Sequence, residues 1–272
     1  MLTFPNAKIN IGLNVTERRA DGYHNIETVF YPISLCDILE VVPSQRAADY
    51  TFHASGIAID ADAGNNLITK AYRLLKADFD IPPIEVFFRK IIPFGAGLGG
   101  GSADAAFMLK MLNEVFDLRL SIPQLENYAA RLGADCAVFI QNKAVFASGI
   151  GNVFQDINIS LRRYYIALVK PDVYVSTKDA YAGIVPKKPR YDLRQIVENT
   201  PVAEWKNYIE NDFEKTVFQK FPVIEKIKNE LYAQGAIYAA MSGSGSAVFG
   251  IFEWETELKD VFADCFVWEN YF

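Results

Sequence analysis

The chain has 272 residues, 51% of them hydrophobic, and carries 27 basic against 33 acidic side chains for a net charge of −6. That balance gives no overall positive field to hold nucleic acid or an anionic membrane surface, so a polyanion has to be met by local positive groups. Three scattered cysteines (Cys36, Cys136, Cys265) and only two histidines (His24, His53) argue against a disulfide framework, a metal cluster or a histidine-rich metal site, and all three thiols are expected to be reduced.

The opening residues Met1 to Lys8 lack a basic region followed by an apolar run, and no stretch is long enough to span a bilayer. A cytoplasmic protein is expected. Length favours two domains, with one still open. Ile9, Ile11, Leu13 and Val15 alternate with Lys8, Asn10, Gly12 and Asn14, the period of a half-buried strand whose polar face carries Lys8 and Asn10 together. Residues 18–22 read as a turn, and 26–33 and 38–42 as strands. Asn65 or Asn66 can cap a helix through Leu67, Ile68, Ala71, Leu74 and Leu75. Residues 84–92 read as a strand stopped by Pro93; Ser102 opens an alanine- and leucine-rich helix ending near Phe116. Ser121 and Gln124 have capping-box spacing for a third helix, which Gly133 closes as a C′ residue just before Asp135. The pattern restarts after residue 155 with a strand over 164–170 and a short helix near Thr177, so the boundary is placed there, giving domains 1–155 and 156–272. Several helices occupy 192–234, Gly235 caps the last, and strands over 236–241 and 247–252 flank a second glycine-rich run.

The densest local signal is Pro93, Phe94, Gly95, Ala96, Gly97, Leu98, Gly99, Gly100, Gly101 and Ser102, set between a strand and a helix. Glycines let backbone N–H groups converge where side chains would collide, and a helix N-terminus adds a favourable field for an anion, so phosphate suits this loop. The spacing of Gly95, Gly97 and Gly100 formally matches the dinucleotide fingerprint, but Pro93 breaks the tight strand-to-turn junction and no ribose-binding acid follows. A Walker A loop needs lysine before its serine or threonine, where this chain has Gly101. The alternative is a hinge. The second run, Ser242, Gly243, Ser244, Gly245 and Ser246, reads by itself as a hairpin turn; near the first loop it would serve a polyphosphate. Lys8 and Asp135 are candidates for polarising an alcohol and receiving its proton, although by residue type alone an ordinary surface pair is the simpler reading.

The stretch Asn6 to Ile11, the run Arg18 to His24, the glycine loop, Gly133-Ala134-Asp135 and the run Ser242 to Ser246 occur in one order and together resemble the kinase superfamily of galactokinase, homoserine kinase, mevalonate kinase and phosphomevalonate kinase. Asp21-Gly22-Tyr23-His24 points more narrowly to the branch that phosphorylates a cytidylated alcohol in non-mevalonate isoprenoid synthesis. The resemblance implies an α+β, two-domain fold with an N-terminal ribosomal-protein-S5-domain-2-like domain for ATP binding and catalysis and a C-terminal ferredoxin-like domain. It implies ATP as co-substrate along the glycine loop, Mg²⁺ between its phosphates with Ser102 a candidate ligand, Asp135 as base, and Lys8 polarising the hydroxyl. It places Asn65 or Asn66 at the adenine, and Asn10, Tyr23, His24, Thr177 and Tyr181 at the substrate, the two tyrosines stacking on the cytosine. For Tyr181 a core aromatic on the short helix is the competing reading. A small-molecule kinase with no nucleic-acid or membrane partner, a monomer or weak homodimer, follows. Ala103-Asp104 after Ser102, Cys136-Ala137-Val138 after Asp135, and Ala147-Ser148 before Gly149 depart from the family pattern. A sibling kinase for another alcohol, a non-catalytic sensor on the same fold and a dinucleotide oxidoreductase are the rivals.

Overall fold

The computed structural model describes residues 1–44, 49–58 and 66–272. In chain order, β1 (Leu2–Thr3), β2 (Asn6–Arg18), β3 (His24–Cys36), β4 (Ile38–Pro43) and β5 (Tyr50–Gly56) precede α1 (Leu67–Lys76). Then come β6 (Ile84–Lys90), α2 (Gly100–Val115), α3 (Ile122–Leu132), α4 (Val138–Gln141), β7 (Val145–Ser148) and β8 (Val153–Asp156). The remainder comprises β9 (Tyr165–Pro171), α5 (Thr177–Tyr181), α6 (Leu193–Asn199), a 3₁₀ turn (Val202–Asn207), α7 (Phe213–Lys220), α8 (Pro222–Ala233), β10 (Tyr238–Met241), β11 (Val248–Phe252) and β12 (Cys265–Tyr271). Among the described residues no helix is long and apolar enough to cross a membrane.

Packing divides the chain into two compact units that interleave in sequence: residues 1–7, 35–94 and 99–143 in the first, and 8–34, 95–98 and 144–272 in the second. This grouping crosses the boundary read at 155, because β2 and β3 share a sheet with β7 and β8 and their apolar residues join the core of the later helices.

The first unit carries the sheet β1-β4-β6-β5, antiparallel except for β5 beside β6, which are parallel and joined through α1. Asn66 caps α1, its Oδ1 accepting from the Thr69 N–H at 2.7 Å, while Asn65 lies outside the described residues. Along β6, Ile84, Val86, Phe88 and Lys90 all face inward, so a lysine occupies a core position. Helix α2 starts at Gly100, earlier than the sequence suggests: Gly99 enters it in the left-handed conformation (φ 68°) and Ser102 is its third residue. Ser121 and Gln124 do open α3, the Ser121 N–H donating to Gln124 Oε1 at 2.9 Å. Gly133 ends α3 in an extended conformation (φ 178°) rather than as a left-handed C′ glycine.

The second unit holds two four-stranded sheets, β2-β3-β7-β8 and the antiparallel β10-β11-β9-β12. Leu13, Val15 and Ile26 pack into one core with Phe213, Val217, Ile224, Ile227 and the inner faces of β9, β10 and β11. β2 is buried on both faces from Asn6 to Leu13 instead of half-buried, because its polar side chains are enclosed by hydrogen-bonding partners of their own.

Candidate active site

In the second unit the two glycine-rich runs are joined to each other and to β2. Ala96 and Leu98 are buried and anchor the first run, leaving Gly95 (φ 58°) and Gly97 (φ 74°) in backbone conformations that a side chain would strain. The Ser246 N–H donates to the Gly95 carbonyl and the Ala247 N–H to the Ala96 carbonyl, each at 3.2 Å, while Ser242 Oγ donates to the Gly97 carbonyl at 2.9 Å. A Cβ on Gly97 would collide with the Ser242 carbonyl, so the close approach of the two runs requires glycine here. Lys8 Nζ donates to the same Gly97 carbonyl at 2.8 Å and to Asn10 Oδ1 at 2.6 Å. Asn10 is held in turn, its Nδ2 donating to Thr28 Oγ1 at 3.0 Å and its backbone N–H to Ser242 Oγ at 3.2 Å. Lys8 is therefore a buried ammonium fixed by an amide and a carbonyl, each charge-assisted bond contributing ~1.5–3 kcal/mol.

Also in this unit, residues 19–24 form a braced turn. Arg19 pairs with Asp21, whose Oδ1 accepts the Tyr23 N–H at 3.1 Å, and Gly22 turns at φ 87°. The hydrogen bond from Arg19 holds the Asp21 carboxyl below its ordinary range. Tyr23 is left 62% exposed, and the His24 ring stacks on Tyr181 with centroids 4.7 Å apart. Tyr181 sits edge-on to Phe213 and against the core, so it is a core aromatic that also presents a face to His24. Thr177 is exposed at the start of α5, behind the Ser176 cap.

In the first unit, Ser102 Oγ donates to Asp135 Oδ1 at 2.7 Å, tying the first turn of α2 to the turn that follows α3. Next to it, burial pushes the Cys136 thiol up to about 12, with the Asp135 carboxylate as the second cause, so this cysteine stays a neutral thiol. Beneath the start of α2, Lys90 Nζ reaches Asp37 Oδ2 at 2.5 Å and Asp104 Oδ2 at 2.9 Å. Asp37 also accepts the Ile91 and Ile92 N–H groups, whereas Asp104 Oδ1 is buried with no hydrogen-bond partner. Burial accordingly raises the Asp104 carboxyl well above the usual carboxylate range, with the Lys90 charge opposing.

The chain matches the family models for the GHMP kinases N terminal domain over residues 66–149 and the GHMP kinases C terminal over residues 195–265. It is 58% identical over 259 residues to a 4-diphosphocytidyl-2-C-methyl-D-erythritol kinase of Bacteroides fragilis, covering 95% of this chain and 94% of that one. It is 54% identical to the enzyme of the same name from Parabacteroides distasonis, covering 99% of each. The chain belongs to the 4-diphosphocytidyl-2-C-methyl-D-erythritol kinase family of GHMP kinases. A crystal structure titled 4-(cytidine 5'-diphospho)-2C-methyl-D-erythritol kinase superposes with a TM-score of 0.82 at 30% identity, covering 99% of this chain and 98% of that one. The Methanococcus jannaschii mevalonate kinase, at 14% identity and a TM-score of 0.71 over 99% and 97% of the two chains, shares the fold. The protein is thus an ATP-dependent small-molecule kinase with the two-domain GHMP fold.

Set against this family, the residues read from the sequence fall into three groups. Lys8, Asn10, Gly95 to Leu98 and Ser242 to Gly245 come together in the second unit; Tyr23, His24, Thr177 and Tyr181 lie in the same unit, with His24 on Tyr181; Ser102 and Asp135 meet in the first, where Pro93 and Gly99 to Gly101 flank the loop. The second run is both a hairpin turn between antiparallel β10 and β11 and a partner of the first loop. Sequence reading missed the Lys90–Asp37–Asp104 cluster and the Glu210–Glu214 segment beneath the second run. A signal for the former was available: the alternation Ile84, Val86, Phe88 directs Lys90 inward.

Proposed function

We propose that this kinase transfers the γ-phosphoryl group of ATP to the 2-hydroxyl of 4-diphosphocytidyl-2-C-methyl-D-erythritol, in the cytoplasm, as a step in making isoprenoid precursors by the non-mevalonate route. The observation that carries the reading is the fixed Lys8 ammonium on the Gly97 carbonyl, joined to both glycine-rich runs. Phosphoryl transfer asks the protein for positioning and charge neutralisation more than for covalent chemistry. In this reading the N–H groups of Gly95 to Gly101 and the start of α2 cradle the phosphates, with glycine required at positions 95 and 97, where a Cβ would collide with the Tyr174 ring and the Ser242 carbonyl. Asp135, oriented by Ser102, accepts the alcohol proton, help typically worth ~10²–10⁴ in rate. Lys8 polarises the hydroxyl. Asn10 orients Lys8 and keeps one donor and one acceptor position for the substrate.

Tyr23, with His24 against Tyr181, is suited to the cytosine ring and Thr177 to its polar edge, and one asparagine of the 65–66 pair is assigned to the adenine region. Mg²⁺ is part of the proposal. The Ser102 hydroxyl, in the first turn of α2, would be its protein ligand, which suits an ion that takes most of its ligands from phosphates and water. When bound, the ion neutralises charge on the phosphates. The domains 1–155 and 156–272 are retained as sequential modules, since the two matched family regions end and begin on either side of that boundary. The chain is taken to work as a monomer or weak homodimer.

The test is ADP release by purified protein with Mg-ATP, offered 4-diphosphocytidyl-2-C-methyl-D-erythritol, homoserine, galactose or mevalonate. Turnover with the cytidylated alcohol alone is expected; turnover with a different alcohol overturns the substrate, and none with any of them overturns the activity.

A further inference from the structure

We infer that Asn211 is a positioning residue for the second glycine-rich run, and through it for the Gly97 carbonyl on which Lys8 rests. The inference rests on the reading that these runs receive the phosphates of ATP. Asn211 precedes α7 and is 3% exposed. Its Nδ2 donates both protons, to the Met241 carbonyl and to the Gly243 carbonyl, each at 2.8 Å, and its Oδ1 accepts the Phe213 N–H at 3.0 Å. Those two carbonyls bracket Ser242.

The neighbours of Asn211 fix the same segment on two sides. Toward β2, the Leu13 N–H donates to the Glu210 carbonyl at 2.9 Å, the Asp212 N–H to the Leu13 carbonyl at 2.8 Å, and the Val15 N–H to Asp212 Oδ2 at 2.7 Å. Toward β10, Glu214 Oε1 accepts the Met241 N–H at 2.9 Å while Lys228 holds Glu214 Oε2 at 2.6 Å. The segment therefore sets Ser242 at a fixed distance from the strand that carries Lys8 and Asn10. Ser242 Oγ then donates to the Gly97 carbonyl and accepts the Asn10 N–H. An unbroken hydrogen-bonded path runs from Asn211 through residues 241–243 to Gly97, where it meets Lys8.

The chemistry of the position selects asparagine. Two converging carbonyl oxygens need two donors on one short side chain; aspartate supplies at most one, serine one, and alanine or leucine none. Removing the donors leaves two buried carbonyls unpaired beside a glycine at φ 54°, a turn free to move toward other partners.

The experiment compares steady-state kinetics and ATP affinity of wild type, Asn211→Ala, Asn211→Asp, Ser242→Ala and the Asn211→Ala/Ser242→Ala double variant, with folding checked by circular dichroism. Asn211→Ala is expected to lower kcat/KM for ATP about 10- to 100-fold, as the loss of buried donors implies, while KM for the cytidylated alcohol, governed by the His24–Tyr181 region, changes less than about twofold. The double variant should fall within about twofold of Asn211→Ala, because both changes act through the one Gly97 carbonyl. Wild-type kinetics in both Asn211 variants, equal rises in both KM values, or multiplying effects in the double variant would each overturn the inference. Should Asn211→Ala not fold, the near-isosteric Asn211→Asp carries the same cycle. If wild type turns over no cytidylated alcohol, the proposed function fails, and the positioning role is judged by ATP affinity across the same variants.

Discussion

The two glycine-rich runs take their shapes from different sources. The first is specified by its own residues: Gly95, Gly97 and Gly99 all adopt positive φ, Ala96 and Leu98 plug into the core, and Gly100 begins a helix. The second is specified from elsewhere. Its flanking strands are set by the register of β10 on β11, and its entry by Asn211, on the Met241 and Gly243 carbonyls, and Glu214, on the Met241 N–H, about thirty residues upstream. A phosphate-binding loop can thus be encoded locally or borrowed from distant side chains, and the borrowed kind looks in sequence like any hairpin.

The largest expected effect separates chemistry from cradle. Asp135→Asn should leave ATP binding nearly unchanged and lower turnover by a factor of ~10² or more, the general-base contribution, measured as kcat against the ATP dissociation constant. Near-normal turnover would remove Asp135 from the mechanism and leave the loops as the whole of the site. Next come two glycines of the first loop that differ in their surroundings. Gly97→Ala forces a Cβ into the Ser242 carbonyl at a positive φ and should cost ~1–3 kcal/mol of stability along with most of the activity. Gly101→Ala meets nothing closer than a Leu67 methyl at 3.6 Å in a helical turn, so it should raise the melting temperature slightly. If phosphates lie on that turn, it should still raise KM for ATP. Equal behaviour of the two variants would erase the distinction between loop and helix.

Much of this architecture was legible because its signals are local. The strand–glycine–helix order of residues 84–116, the caps at Asn66 and Ser121, and the hairpin at 242–246 follow from turn and cap chemistry within a few residues. Among the strands that were missed, β5 and β8 lie at sheet edges and present exposed residues, so no apolar alternation develops along them. The burial of Lys8 on both sides was missed for a related reason: the carbonyl and amide that receive it come from Gly97 and Asn10, and sequence spacing says nothing of that meeting. Asp104 read only as a departure from the family pattern, because its partner Lys90 lies on another element.

A smaller effect tests whether the aromatic region is independent of both loops. Tyr23, more than half exposed above a turn braced by Arg19 and Asp21, can lose its ring without unfolding the turn. Tyr23→Ala should therefore raise KM for the cytidylated alcohol about 10-fold or more, in line with the ~1–3 kcal/mol of base stacking, and leave KM for ATP within about twofold. Equal effects on both would contradict a role in stacking on the cytosine.

The smallest expected effect concerns how the first loop's helix is anchored. Asp104 carries a raised carboxyl in the folded protein because of burial, so the folded state binds a proton that the unfolded state, with a carboxyl near ~3.9, releases. Its contribution to stability is then fully present below the unfolded value and is lost as pH rises toward the folded one. Asp104→Asn removes that titration. The variant gives up part of the contact with Lys90 at every pH, yet its stability relative to wild type should climb as pH rises from 5 to 8, read from urea midpoints at three or four pH values. Glu214 under the second loop is raised by burial as well, and gives a background of the same sign that this substitution leaves in place. Parallel pH curves for variant and wild type would mean that Lys90 sustains both Asp37 and Asp104 as charged partners, making the helix start of the first loop an ion-pair anchor.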